Sequence, residues 1–427
     1  MFVVSSRAAR LFVLLYVAGA ACAAAPDSAG DASRAESLTL REAVERTLAS
    51  NPHLRTFTFR MQAQEGRAHV AGLRPPLELR AELENIGAAD DVTGTDAVEA
   101  TLALSGVLEL GDKRAKRLEA ARSAGELIAI EREAAELDVV AEVTRRFIQV
   151  ASAQAQLRLT VRATELAEQA VEAVQRRVDA GRSPDVELSR TRIALTRARI
   201  AEEHAEHALL ASRRKLAAMW GDTEDHFGEV TAGLFEVPTV PPFADLAAQI
   251  DSNPDLARFA SEARLRHAEL NLARAKARAD VTWTAGVRHL ETLDDNALVL
   301  GASVPLFSAS RAEGAVAEAR AQRALTDAER EAHRVRVLAE LFELYQELRH
   351  AVNETEELQR TVSPEMEAAL RATEHAFERG RYGYRELAEA QRELIDVQRA
   401  LITAAANTHL FRVEIERLTG RALPGAP

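Results

Sequence analysis

Two hydrophobic periods alternate along this chain, and their order is given twice. Leu77, Leu79, Ala81 and Leu83 alternate with Glu78, Arg80, Glu82 and Glu84, and Val98, Ala100, Leu102 and Leu104 alternate with Glu99, Thr101, Ala103 and Ser105. A period of two with one apolar and one polar side predicts a pair of strands around the turn-rich stretch 87–95. The same signal returns at Val281, Trp283, Ala285 and Val287, with a partner strand expected near 298–306 and a turn at Asp294-Asp295-Asn296. Elsewhere the period is helical. Leu38–Ala43 opens a helix with Thr39 as N-cap, Asn51-Pro52 interrupts it, and a second helix runs to about Gly72. From Asp112 to about Gly181, apolar residues fall three or four apart with no proline, which predicts a rod on the order of 100 Å long. Gly181-Arg182-Ser183-Pro184 turns the chain, with Ser183 read as N-cap and Pro184 as first helical residue of a rod returning to about Trp220.

The second half repeats the plan. Its descending helix is expected from about Arg311 to a turn at 380–383, with a kink or break near 361–363 ahead of Pro364. Its returning helix carries Leu387, Ala390, Leu394, Val397, Leu401, Ala404, Thr408, Phe411, Ile415 and Leu418 at a 3,4 spacing, a heptad seam. Landmarks fix the duplication. Ser50-Asn51-Pro52-His53-Leu54 returns as Ser252-Asn253-Pro254-Asp255-Leu256, and the Gly181 and Met219-Trp220-Gly221 positions return at Gly380 and Leu418-Thr419-Gly420, all about 200 residues later. The expected organisation is a signal peptide at 1–25, a short mature N-terminal segment at 26–37, repeats at 38–220 and 243–420, an inter-repeat linker at 221–242 and a tail at 421–427.

The signal-peptide reading rests on Arg7 and Arg10, the short apolar run Leu11–Val17 and the small residues through Ala25. The sole cysteine, Cys22, follows Ala20-Ala21 as in a lipoprotein cleavage site, although Gly19 stands where a larger aliphatic residue is usual, and simple cleavage nearby is the alternative. Aromatics are 4% and charged residues 28%, a long-helix composition, and the net charge of −12 without a basic block speaks against a nucleic-acid partner. Beyond the signal no stretch reaches the ~20 apolar residues of a spanning helix, so any membrane contact must be through strands. Four strands per chain cannot close a barrel, and lipid does not tolerate an open edge. Three copies give twelve strands, wide enough for a wet lumen. The expected fold is therefore mainly α with a small β part: duplicated helical hairpins forming an α-barrel, and two β-hairpins per chain entering a trimeric 12-stranded membrane β-barrel. The alternation puts Leu77, Leu79, Leu83, Val98, Leu102, Leu104, Val281, Trp283 and Val287 on the lipid side.

This order of elements resembles the TolC family of outer-membrane efflux ducts over about residues 38–420. Gly72-Leu73-Arg74-Pro75, Glu84-Asn85 and Leu108-Glu109-Leu110-Gly111-Asp112-Lys113-Arg114 look like its CzcC-type heavy-metal branch, from which Pro76 departs. The resemblance implies a homotrimer in the outer membrane of a Gram-negative cell that extends into the periplasm. It would work without a cofactor or catalysis, handing on substrates from a resistance-nodulation-division pump and a periplasmic adaptor. The adaptor would meet the tips: Gly181, Arg182, Ser183, Pro184 and Asp185, and Gly380, Arg381, Tyr382 and Gly383. Acidic residues at positions matching Glu386 and Glu389 ring the periplasmic aperture in the family, with Arg379, Arg381 and Arg385 as nearby partners. Other readings are a duct for organic compounds or type I protein secretion and, in another class, a periplasmic adaptor or structural coiled coil. Glu203, His204, Glu206 and His207 share a helix face but read as rod surface rather than as a metal site.

Overall fold

The computed structural model describes residues 37–86 and 98–423. The signal segment, Cys22 and the turn at 87–95 lie outside them, as does the end of the tail. Strand β1 (Leu38–Thr39) leads into α1 (Leu40–Ser50) and α2 (Pro52–Ala71). Thr39 is the N-cap of α1 in a capping box with Glu42, as expected. Strands β2 (Glu78–Glu84) and β3 (Glu99–Leu108) lead into the first rod, α3 (Lys113–Asp179), 67 residues long, and its return α4 (Asp185–Ala217). After β4 (Val230–Thr231) and the short α5 (Phe243–Ala247), the plan repeats in α6 (Pro254–Lys276), β5 (Val281–Leu290), β6 (Asp295–Ser303), α7 (Ser308–Glu357), α8 (Ser363–Glu378) and α9 (Tyr384–Thr419).

The two hairpins join into one antiparallel sheet in the order β2-β3-β5-β6. The register sets Leu79 opposite Leu104, Leu102 opposite Val287, and Val287 opposite Leu298. The last strand begins three residues before the expected 298 and stops at Ser303. A left-handed Asp294 (φ 46°) makes the turn, and Pro305, lacking an N–H, cannot extend the ladder.

Rod α3 packs along α4, α6 and α9, and α9 along α7 and α8. Each half buries its own cluster, around Phe57, Val143, Phe147 and Trp220 in the first and Leu256, Phe259, Leu341 and Ile415 in the second. A third cluster joins the halves, setting Ala141, Ile148 and Leu159 of α3 against Ile402, Ala405 and Val413 of α9. Along the heptad seam of α9, Leu387, Ala390, Leu394, Ala404, Thr408, Ile415 and Leu418 are buried, and Val397, Leu401 and Phe411 are half-buried.

One expectation changes, at the first tip, and two gain detail. The segment 221–242 is not a bare linker. Its Phe227, Val230 and Leu234 are buried, β4 pairs in parallel with β1, and Arg213 holds Asp225 and the Phe227 and Gly228 carbonyls. At the first tip, Ser183 makes no cap: α4 starts at Asp185 and Pro184 itself stands at the N-cap with extended geometry. The interruption before Pro364 is a π turn, Leu358–Val362, where the Ser363 N–H reaches back five residues to the Leu358 carbonyl. Proline cannot donate to the residue four before it, and the wider turn makes room for its ring.

Candidate functional site

The duplicated landmarks prove to be one joint built twice. Asn51 caps α2 by accepting from the His53 and Leu54 N–H groups at 2.9 and 3.1 Å, while its Nδ2 donates to the Met219 carbonyl at 2.7 Å. Asn253 caps α6 by accepting from the Asp255 N–H at 2.6 Å, and its Nδ2 donates to the carbonyls of Arg417 and Leu418. In each half one buried amide ties the start of a short helix to the end of a returning rod.

The string at 108–114 forms a second joint, between strand and rod. Lys113 is buried. Its Nζ lies 2.7 Å from both the Arg278 carbonyl and the Asp280 carboxylate, and Asp280 also accepts from the Leu110 N–H at 3.0 Å. Arg117 pairs with Glu109 and donates to the Leu73 carbonyl at 3.2 Å, and Arg114 donates to the Gly72 carbonyl. These bonds fix the angle at which the sheet leaves the rods.

The sheet has two chemically different faces. One carries Leu77, Leu79, Leu83, Leu102, Leu104, Trp283 and Val287, all exposed, with Leu79 72% accessible; Val98 and Val281 are half-buried at its margins. Leu298 and Leu300, outside the set expected from the alternation, join this face, each 72% accessible. Their in-phase alternation with Val287 was the available signal. The opposite face is polar. On it Arg288 forms ion pairs with Glu84 at 3.0 Å and Glu99 at 2.8 Å and donates to the Thr101 hydroxyl at 3.0 Å. This cluster bridges three strands and has no local signal in the sequence, because Arg288 lies at least 187 residues from each of its partners. Both outer edges of the sheet, on β2 and β6, have no strand beside them among the described residues.

At the far end of the rods the two tips are alike. Gly181 (φ +67°) and Gly380 (φ +75°) each close a Schellman motif. The Arg182 backbone N–H donates to the Arg177 carbonyl at 2.8 Å and that of Arg381 to the Ala376 carbonyl at 2.9 Å. Arg177 links the tips, donating to the Phe377 and Tyr382 carbonyls with its guanidinium 4.5 Å above the Phe377 ring. Asp185 opens α4, and Gly383 is the N-cap of α9.

Glu386 accepts from the Gly383 N–H at 3.0 Å, which gives it a local capping role. Glu389 lines a groove of about 600 Å³ between α4 and α9, with Glu187, Arg190, Arg197, Arg385 and Arg392. Arg379, Arg381 and Arg385 form no ion pair with either acid among the described residues. Glu203, His204, Glu206 and His207 are exposed on α4, and no group of three or more metal-ligating side chains occurs among the described residues.

An open-edged sheet with one apolar and one charged face, continued by paired rods, defines a wall subunit of a membrane channel. No helix among the described residues is long and apolar enough to cross a bilayer. The chain belongs to the outer membrane efflux protein family, whose model matches residues 43–222 and 247–421. It is 26% identical over 384 residues to the cobalt-zinc-cadmium resistance protein CzcC of Cupriavidus metallidurans, with 90% of each chain covered. It is 27% identical over 329 residues to the protein CyaE of Bordetella pertussis, covering 69% of this chain and 67% of that one. Among solved structures, the CusC channel superposes with a TM-score of 0.75 at 15% identity, covering 93% of this chain and 95% of that one. The outer-membrane channel OprN gives 0.74 at 16%, covering 93% and 99%. The protein is thus an outer-membrane channel component and not an enzyme, and the adaptor and plain coiled-coil readings fall away.

Proposed function

We propose that three copies form a passive duct, closing a twelve-stranded barrel across the outer membrane and a helical tube through the periplasm. The carrying observation is the two-faced sheet with open edges on β2 and β6, since a neighbour's strand on each edge would satisfy backbone groups that lipid cannot. In this reading the face of Leu79, Leu102 and Val287 meets lipid, and the Arg288 face lines the lumen. The tips around Gly181 and Gly380 dock a periplasmic adaptor below which a resistance-nodulation-division pump supplies the energy. Heavy-metal cations are the proposed cargo, supported by the 26% identity to the cobalt-zinc-cadmium resistance protein across nearly the whole chain.

Glu386 and Glu389 border the periplasmic aperture. Three copies would bring six carboxylates toward one axis, and the arginines lining the groove beside Glu389 offset their repulsion. Replacing both acids by Gln should alter single-channel conductance and block by multivalent cations while leaving trimer stability nearly unchanged.

The test of the whole reading is to fractionate cells producing the full chain and to delete it from its native host. A heat-modifiable outer-membrane trimer, together with cobalt, zinc or cadmium sensitivity in the deletion strain, is the expected result. A soluble monomer would overturn the duct. Sensitivity to dyes or detergents with unchanged metal tolerance would overturn the cargo and favour the organic-compound duct.

A further inference from the structure

A groove of about 910 Å³ opens where the sheet meets the rods. Its upper wall holds Leu77, Leu108 and Trp283, in phase with the exposed apolar face of the sheet. Its lower rim holds Arg74 and Arg114. Arg74 makes no hydrogen bond or ion pair among the described residues. Arg114 spends only its Nε, on the Gly72 carbonyl, and leaves its two terminal nitrogens free. The other charges of the lining are mostly engaged, Lys113 by Asp280 and Glu109 by Arg117. Asp112 alone adds an exposed carboxylate. The uncapped N-terminus of α3 also opens into the groove. Over the depth of one corner the surface passes from apolar to cationic, and a tryptophan stands at the transition.

We propose that this groove is a binding site for an anionic glycerophospholipid of the leaflet on the helix side, with its phosphate held by Arg74 and Arg114 and an acyl chain lying along Leu77, Leu108 and Trp283. The inference rests on the outer-membrane reading above. The chemistry is complementary at both ends. Guanidinium groups match phosphate oxygens geometrically, a helix N-terminus favours an anion, and an indole is suited to the boundary between hydrocarbon and headgroup. The site is continuous with the face proposed to meet lipid. It also lies at the end of the strands nearest the rods, the periplasmic side, where the lipid is a phospholipid. A guanidinium without a partner is here explained by a ligand that arrives with the membrane.

The test uses full-chain trimers reconstituted in nanodiscs of mixed phosphatidylglycerol and phosphatidylcholine, released into detergent and weighed by native mass spectrometry. One phosphatidylglycerol per protomer should remain bound in preference to phosphatidylcholine. Arg74→Glu should lower that retention roughly fivefold or more, since each cation beside an anionic surface contributes about that factor. Arg74→Lys, which keeps the charge, should largely preserve it. Equal retention of the two lipids by the wild-type trimer overturns the proposal even if Arg74→Glu does not assemble. So does unchanged retention in Arg74→Glu trimers. A thermal shift from inorganic phosphate matching that from phosphatidylglycerol would make the site a free-anion site and overturn the lipid assignment. Failure to recover any trimer from the outer membrane would instead overturn the duct reading, so the two failures are distinguishable.

Discussion

Replacing Asn51 by Ala removes three hydrogen bonds from one buried joint. Asn51 is 6% accessible, and water cannot readily take over its contacts. Losing the cap on the His53 and Leu54 N–H groups costs about 1 kcal/mol, and leaving the Met219 carbonyl without a donor in a buried site costs about 1–3 kcal/mol more. The sum is roughly 2–4 kcal/mol per protomer. Asn51→Ser keeps a capping oxygen but cannot reach Met219, and it should recover about 1 kcal/mol of the loss. Asn253→Ala should behave alike, because Asn253 serves the same joint in the second half. The two sites lie in separate clusters, so the double variant should be additive within about 0.5 kcal/mol. The assay is urea unfolding of detergent-solubilised trimers followed by far-ultraviolet circular dichroism. Losses below about 0.5 kcal/mol for both single variants, the range of ordinary surface substitutions, would refute the stapling role.

Leu79→Arg places a charge on the apolar face and should cost about 2–4 kcal/mol per copy if that face meets lipid. Trimer yield should collapse, whereas Arg80→Glu on the opposite face should be tolerated; normal yield from Leu79→Arg counts against the assignment. Gly380→Val forces a β-branched residue into a left-handed conformation at the tip, at a cost of about 1–2 kcal/mol, and should abolish efflux while trimers remain in the membrane. Retained efflux would remove the tip from the docking site. Burial holds the His409 imidazole below its usual pKa, with its Nε2 3.0 Å from the Leu234 carbonyl. The folded state therefore favours neutral His409, and its contribution is present above about pH 6.5 and lost as pH falls below that value. His409→Gln trimers should lose less stability than the wild type between pH 7.5 and pH 5.5 in thermal unfolding, and parallel losses would show that His409 does not carry the acid sensitivity.

The sequence by itself determined the elements and their order. Period and punctuation are local, and each rod or strand carries its own copy of the signal. The alternation at Leu77–Glu84, the proline-free run to Gly181 and the heptad of α9 needed no knowledge of the chain's path. The tip glycines were legible for the same reason, since a left-handed residue ending a helix is a demand made within six residues. The duplication set the register of the two halves, while the proposed role of Glu386 and Glu389 came from the family resemblance.

Tertiary structure decided which distant groups meet. Asn51 was visible as a helix punctuator, but its bond to Met219 crosses 168 residues of chain. Arg288 gains Glu84 and Glu99 only when two separated hairpins lie side by side. The segment after Gly221 reads as loop from its prolines. Its burial depends on surfaces of α3, α4 and β1 that are brought to it from elsewhere, and Val230 completes its bonding with the Gln154 side chain. The surroundings of Glu389 follow the same rule. Arg190 and Arg197 belong to the other helical hairpin and become its neighbours only because α3 and α9 pack into one wall. Periodicity states which face of an element is apolar, while the partner of each polar group is fixed by contacts whose sequence separation leaves no local trace.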